Sequence, residues 1–255
     1  VAIAEVRADA QTLNELTGAF ELAEARFTVP ELRFAIASGT VAANTTIDFN
    51  PVPFTYALQA TSENDLNTML GTPGGLGPAT ARFDAKGAGP DAANLVASGE
   101  VQLAPGQFPA SPLFTQIDDA LGKPVLANAA YEATNVNFRL AGNRVTLDPF
   151  RLTTPAARLD LSGVAALGGP IDFDLALATP REGLTVAGTS ATVLDVLADN
   201  EGWVPVPLTL TGTVESPKVR PDVGTLASMA AQGAKREATA KATDALRGLI
   251  KRKIR

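Results

Sequence analysis

Asp172 and Asp174 stand two residues apart in IDFDLALA (171–178), which puts both carboxylates on one face of an extended strand. Paired carboxylates are a means of acid–base chemistry. Here Ile171, Phe173, Leu175 and Leu177 alternate with them, so the aspartates fall on the wet side of a half-buried strand with no readable partner. Asp84 and the Asp118–Asp119 pair are potential cation ligands, but nothing around them has the spacing of a calcium loop. The glycine-rich GTPGGLGP (71–78) lacks the Lys and Ser/Thr of a phosphate loop and reads as a linker. The chain has no His and no Cys, which removes the commonest general base, the commonest metal ligand and thiolate chemistry. No serine has a histidine to activate it. The expectation is a protein that is not an enzyme and uses no cofactor or metal.

Elements that would position such groups are written mainly as strands. Apolar residues recur with period two in Phe54/Tyr56/Leu58, Val101/Leu103, Val136/Phe138/Leu140, Val145/Leu147, Leu159/Leu161 and Val206/Leu208/Leu210, as they do in 171–178. Asn137, Arg139, Thr146, Arg158, Asp160, Thr209 and Thr211 fill the alternate positions. One dry face and one wet face is the habit of antiparallel sheets. AGN at 141–143 reads as a tight hairpin, and Ser-Gly at 38–39, 98–99 and 162–163 as sites of bulges or positive φ. Ala35, Ala37, Ala57, Ala176 and Ala178 leave room beside the larger apolar side chains. The apolar faces are either the closed core of a sandwich or barrel, or the floor of a groove for acyl chains.

Helices are few. SENDLNTML opens like a capping box at Ser62, and SPLFTQIDDALG has Ser111 as N-cap, Pro112 in the first turn and Gly122 as its stop. A last helix over about 222–254 starts at Asp222, with Gly233 as a break point. SGTVAANTTIDF (38–49) aligns with SGVAALGGPIDF (162–173), and LNELTG (13–18) with LNTMLG (66–71) and, more loosely, TSATVLDVLAD (189–199), each read as a strand running into a short helix. These echoes divide the chain into a duplicated β domain, 1–222, with halves at about 1–72 and 79–222, and a C-terminal helix, 223–255.

The 255 residues suffice for one large domain or two small ones. Hydrophobic residues make up 45% but aromatics only 5%, so the apolar material is mostly Ala, Val and Leu. No run approaches the roughly 18 apolar residues of a membrane span. The first residue is Val1, which points to a piece of something longer. Net charge is −6, unevenly placed: residues 235–255 hold eight cations against Glu237 and Asp244, a surplus of six, which leaves −12 on the remainder. Lys251, Arg252 and Lys253 are therefore the candidates for contact with an anionic membrane surface or partner. The acidic body, without basic–aromatic interleaving, argues against nucleic acid.

WVPVPLTLTGTVESPKVRPDV (203–223) closely resembles the end of the C-terminal region of the AsmA-like family, through Val206, Pro207, Leu208, Thr211, Gly212, Thr213, Pro217, Lys218, Pro221 and Asp222. FRLAGNRVTLDPFRLTTPAARLDLSGVAAL (138–167) and ARFDAKGAGPDAANLVASGEVQLAPGQF (81–108) are similar to the strand units before it, so the resemblance covers about 80–230. It implies a bacterial bridge-like lipid-transfer protein of the periplasm, part of a longer chain anchored in the inner membrane. The fold it implies is mostly β: a curved antiparallel sheet forming a groove or open, taco-like half-barrel, with short helices and a C-terminal amphipathic helix. The function it implies is non-enzymatic carriage of phospholipids or other hydrophobic envelope lipids along the apolar floor. The second expectation is an envelope assembly factor that docks an outer-membrane protein through an edge strand or the tail helix. Pro205 and Pro207 mark 203–213 as the final edge strand, and Pro217 and Pro221 as terminators of pairing.

Overall fold

The computed structural model describes residues 2–8, 11–36, 39–65, 77–109, 111–213 and 216–235. Seven strands come first: β1 (Ala2–Ala8), β2 (Gln11–Ala23), β3 (Arg26–Ile36), β4 (Gly39–Asp48), β5 (Thr55–Asp65), β6 (Pro78–Ala88) and β7 (Val96–Leu103). A long excursion follows, with β8 (Gly106–Gln107), helix α1 (Pro112–Leu121) and β9 (Ala130–Tyr131). Then come β10 (Thr134–Ala141), β11 (Arg144–Thr153), β12 (Arg158–Ala166), β13 (Pro170–Pro180), helix α2 (Ala191–Leu197), β14 (Trp203–Thr213) and β15 (Pro217–Pro221). Helix α3 occupies residues 223–235. The described residues are mostly strand, and all but β8 and β9 join one 13-stranded antiparallel sheet. It is curved and open, with β1 and β15 at opposite edges, so it is not closed into a barrel.

Glycine and aromatic residues shape the curve. Tyr56 lies over Gly87, Phe138 over Gly99 and Phe173 over Gly163, and none of these three glycines has room for a Cβ. A flat ring across a neighbouring strand's glycine lets a sheet coil without opening a gap. Two of the Ser-Gly pairs read as sites of bulges or positive φ, 98–99 and 162–163, are thus seats for rings, and Gly163 does hold a positive φ of 152°. The hairpin at Gly142–Asn143 forms as expected, with Gly142 at φ 58°.

Four helix ends follow their sequence signals. The Ser111 side chain accepts from the Phe114 N–H, Pro112 opens α1, and Gly122 closes it at φ 64°. Ser190 caps α2 through the Val193 N–H. Asp222 starts α3, accepting from the Thr225 N–H at 2.9 Å and its hydroxyl at 2.6 Å. Those hydrogen bonds lower the Asp222 pKa. Helix α3 runs unbroken through Gly233.

Other expectations are corrected. Ser62–Asp65 belong to β5, not to a helix, while 66–76 lie outside the described residues. LNELTG is wholly within β2, and the 38–49/162–173 echo matches the single strand β4 to a strand–turn–strand across β12 and β13. Residues 203–213 are the penultimate strand. Pro217 and Pro221 sit at the ends of β15, paired with Gly212 and Leu208. The missing donors of Pro205 and Pro207 still face away from β13, because the Pro207 carbonyl on that side accepts from the Asp222 N–H.

The edge of β15 is itself sealed. Pro217 and Pro221 have no N–H to offer, and the Gln116 side-chain amide donates to the Pro217 carbonyl and accepts from the Val219 N–H. That contact sets α1 against β15, although β7 and β10, which the excursion connects, are sheet neighbours. The excursion therefore crosses the apolar face of β10–β14 and returns. Asp118 fixes the return: its buried carboxylate accepts from the Val125, Leu126 and Ala127 N–H groups at 2.9–3.0 Å. Asp118→Ala leaves those donors unmet and is expected to cost about 3 kcal/mol, read as a lower midpoint in urea unfolding.

Candidate functional site: the apolar face of the sheet

Strand register assembles the apolar face in rows that cross the sheet. One runs Leu32, Ala43, Ala60, Phe83, Gly99, Phe138, Leu147, Gly163, Phe173, Leu210 and Val219. The next runs Val29, Thr45, Leu58, Ala85, Ala97, Leu140, Val145, Ala165 and Ile171. Alternate side chains point to opposite faces, so these rows share one side.

The face has a closed and an open part. Over β11–β15 it is covered by the excursion, by α2 and the segment before it, and by α3. Ile117, Leu121, Val125, Leu126, Leu184, Leu194 and Leu226 meet Leu159, Ile171, Leu175, Leu177, Val206, Leu208 and Leu210 in one core. Leu103, Leu161 and Phe173 pack against it. Those ten expected groove-lining residues are core or its margin, because an amphipathic helix and its loops bury the face they serve.

Over β3–β11 the same face, apart from Leu103 at the end of β7 and Phe150 and Leu152 of β11, lies outside that core. Phe54, Tyr56, Leu58, Val101, Phe138, Val145 and Leu147 are half-buried, and Leu140 is buried among them. Leu32, Phe34, Val41 and Phe83 belong to this part and were not among the expected residues. Phe83 was legible, since Ala79, Ala81, Phe83 and Ala85 alternate with Thr80, Arg82, Asp84 and Lys86. Of the small residues expected to leave room, Ala35 pairs with Thr40, Ala57 with Thr46 and Ala176 with Pro207, which places them on the wet face. Lys251, Arg252 and Lys253, and also Ala37, lie outside the described residues.

The other face is polar. Asp172 and Asp174 are exposed opposite Thr211 and Thr209, and Asp84 accepts from the Gln59 amide at 2.7 Å. Cross-strand pairs continue with Arg151–Asp160 at 2.7 Å and Arg26–Asp48 at 2.8 Å, and Arg139 meets Asp148. Thr61, Glu63, Thr80, Arg82, Glu100 and Gln102 line a shallow groove of about 590 Å³, a lining unsuited to acyl chains. Among the described residues no three His, Cys, Asp or Glu side chains converge to hold a metal, and no helix is long and apolar enough to cross a membrane.

The Arg26 hydrogen bond, then the Asn50 N–H and side chain, lower the Asp48 pKa to about 2. A carboxylate depressed in the folded state stabilises above its unfolded pKa of about 4 and loses that contribution as pH falls to about 2. Carboxyl titration by NMR is expected to place Asp48 below the unpaired aspartates, and Arg26→Gln to raise it.

Comparison with protein-family models gave no match, and neither the curated proteins nor the solved structures compared with the chain matched it.

Proposed function

We propose that this chain binds acyl lipids, phospholipids first among them, on the open part of its apolar sheet face, and passes them along it without covalent chemistry. One observation carries the reading: the face continues from a closed core into β3–β11, where Phe83, Val101 and Phe138 are only half-buried and outside that core. Each CH₂ taken from water there is worth about 0.8 kcal/mol, so a partly covered acyl chain is held without any polar site. The headgroup stays at the wet rim of the face. The closed part acts as the floor's end and support. The resemblance of 138–167 and 203–223 to AsmA-like C-terminal regions points the same way, and with it a place in the periplasm between inner and outer membranes.

The test is organic extraction of the chain purified from bacterial cells, with mass spectrometry beside a control protein. Near-stoichiometric phospholipid is the expected result; a folded, lipid-free chain overturns the reading. Docking of an outer-membrane protein by strand addition at the C-terminal edge is disfavoured by the Gln116 clamp and by the prolines of β15.

A further inference from the structure

At one end of the strands, successive turns are tied together. The Phe49 N–H donates to the Ala25 carbonyl at 2.9 Å, Gly89 to Phe54 at 2.7 Å, Gly142 to Leu95 at 3.2 Å and Leu167 to Asn143 at 2.9 Å. The Asn50 amide adds a bond to the Glu24 carbonyl at 3.0 Å. Glu24 and Ala25 both hold positive φ, 48° and 59°, a turn that L-residues avoid unless neighbours fix it. Together these bonds make a continuous lip running from the β2–β3 turn to the β12–β13 turn.

Apolar side chains stand out from the lip. Leu22 is 67% exposed, Phe49 49%, Val52 97% and Leu167 51%. Rings accompany them, with Phe49 against Phe54 at 6.0 Å and Phe54 against Tyr56 at 6.4 Å, so the lip runs into the apolar face. In a chain with only 5% aromatic residues, this is a local concentration.

We propose that this lip inserts into the headgroup–acyl boundary of a lipid bilayer, with Leu22, Phe49, Val52 and Leu167 as the inserting side chains. The tips are isolated points, separated by polar Glu24, Asn50 and Asn143. A protein partner needs a continuous patch of roughly 800 Å² per side, whereas a bilayer interface accepts single apolar side chains to a depth of about 5–10 Å. Charge does not drive the contact. Arg26 is paired with Asp48 and lies beside Glu24, so neutral lipid suffices. The proposal does not rest on the basic tail and stands whether or not the face carries lipid.

The chain has no cysteine, so Val52→Cys offers a unique attachment point for an environment-sensitive nitrobenzoxadiazole probe. Full-length protein is mixed with phosphatidylcholine vesicles in high salt, which suppresses the tail's electrostatic binding. The expected result is a blue shift and a several-fold rise in emission at position 52. A probe on Ser98→Cys, on the polar face, stays unchanged. Phe49→Ser with Val52→Ser is expected to lower vesicle partitioning roughly tenfold or more. A position-52 probe that stays water-like with vesicles overturns the proposal. So does one already blue-shifted without lipid in a particle of doubled mass, which would make the lip a contact between two copies.

Discussion

Leu177→Asp abolishes the native fold of the C-terminal half. Leu177 is 1% exposed, paired in register with Leu159 and Val206, and belongs to the core under α1. The substitution removes a packed side chain, worth about 2–5 kcal/mol, and introduces a carboxylate without a partner, which adds several kcal/mol more. A domain has only about 5–15 kcal/mol to lose. The expected outcome is loss of the cooperative thermal transition, read by near-ultraviolet circular dichroism at Trp203, beside a milder loss of about 3 kcal/mol for Leu177→Ala. A cooperative transition retained by Leu177→Asp would mean that the covering segments do not close over β12–β14. Leu208, 2% exposed in the same core, behaves alike, so lipid loss on changing it to Asp would report unfolding rather than an emptied groove.

Phe83→Asp combined with Leu58→Asp does the opposite: the fold survives and the lipid is lost. Both side chains are half-buried on the open face, in adjacent rows, and neither belongs to the closed core. A carboxylate there keeps contact with water in the empty protein. With an acyl chain over it, it must be desolvated or the chain must lift away, and either costs more than the several CH₂ contacts it replaces. Co-purified phospholipid is expected to fall at least about tenfold, while the melting temperature moves by only a few degrees. Unchanged lipid in this variant would place any bound lipid elsewhere on the chain.

Much of the sheet can be read from the chain because its period is intact. Alternation from Val136 to Leu147 and from Leu159 to Leu177 marks strands and their dry face, and Ser111, Pro112 and Gly122 mark α1 to the residue. Bulges hide the rest. In β2 the register shifts between Asn14 and Thr17, with Glu15 at φ 55°, so Leu13 and Leu16 fall at a helix-like spacing inside a strand. In β3 the shift between Val29 and Leu32 breaks the alternation that would have shown Phe27, Val29, Leu32 and Phe34 as one face. The capping-box pattern at Ser62 lost to pairing of 55–65 with strands on both sides. What covers the apolar face was out of reach for another reason. Helix α1 is written locally, but its destination depends on β7 pairing with β10, which frees the residues between them to cross to β15. Alternation tells which face is dry; only the tertiary path tells which part of it is closed.

The most direct measurement is cross-linking with a phospholipid bearing a diazirine in its acyl chain, followed by peptide mapping of the adducts. Lipid on the open face requires adducts on β5, β6, β7 and β10, around Leu58, Phe83, Val101 and Phe138, and none around Leu175, Leu177 and Val206. Adducts on the polar face, or none above those of a control protein, would contradict it.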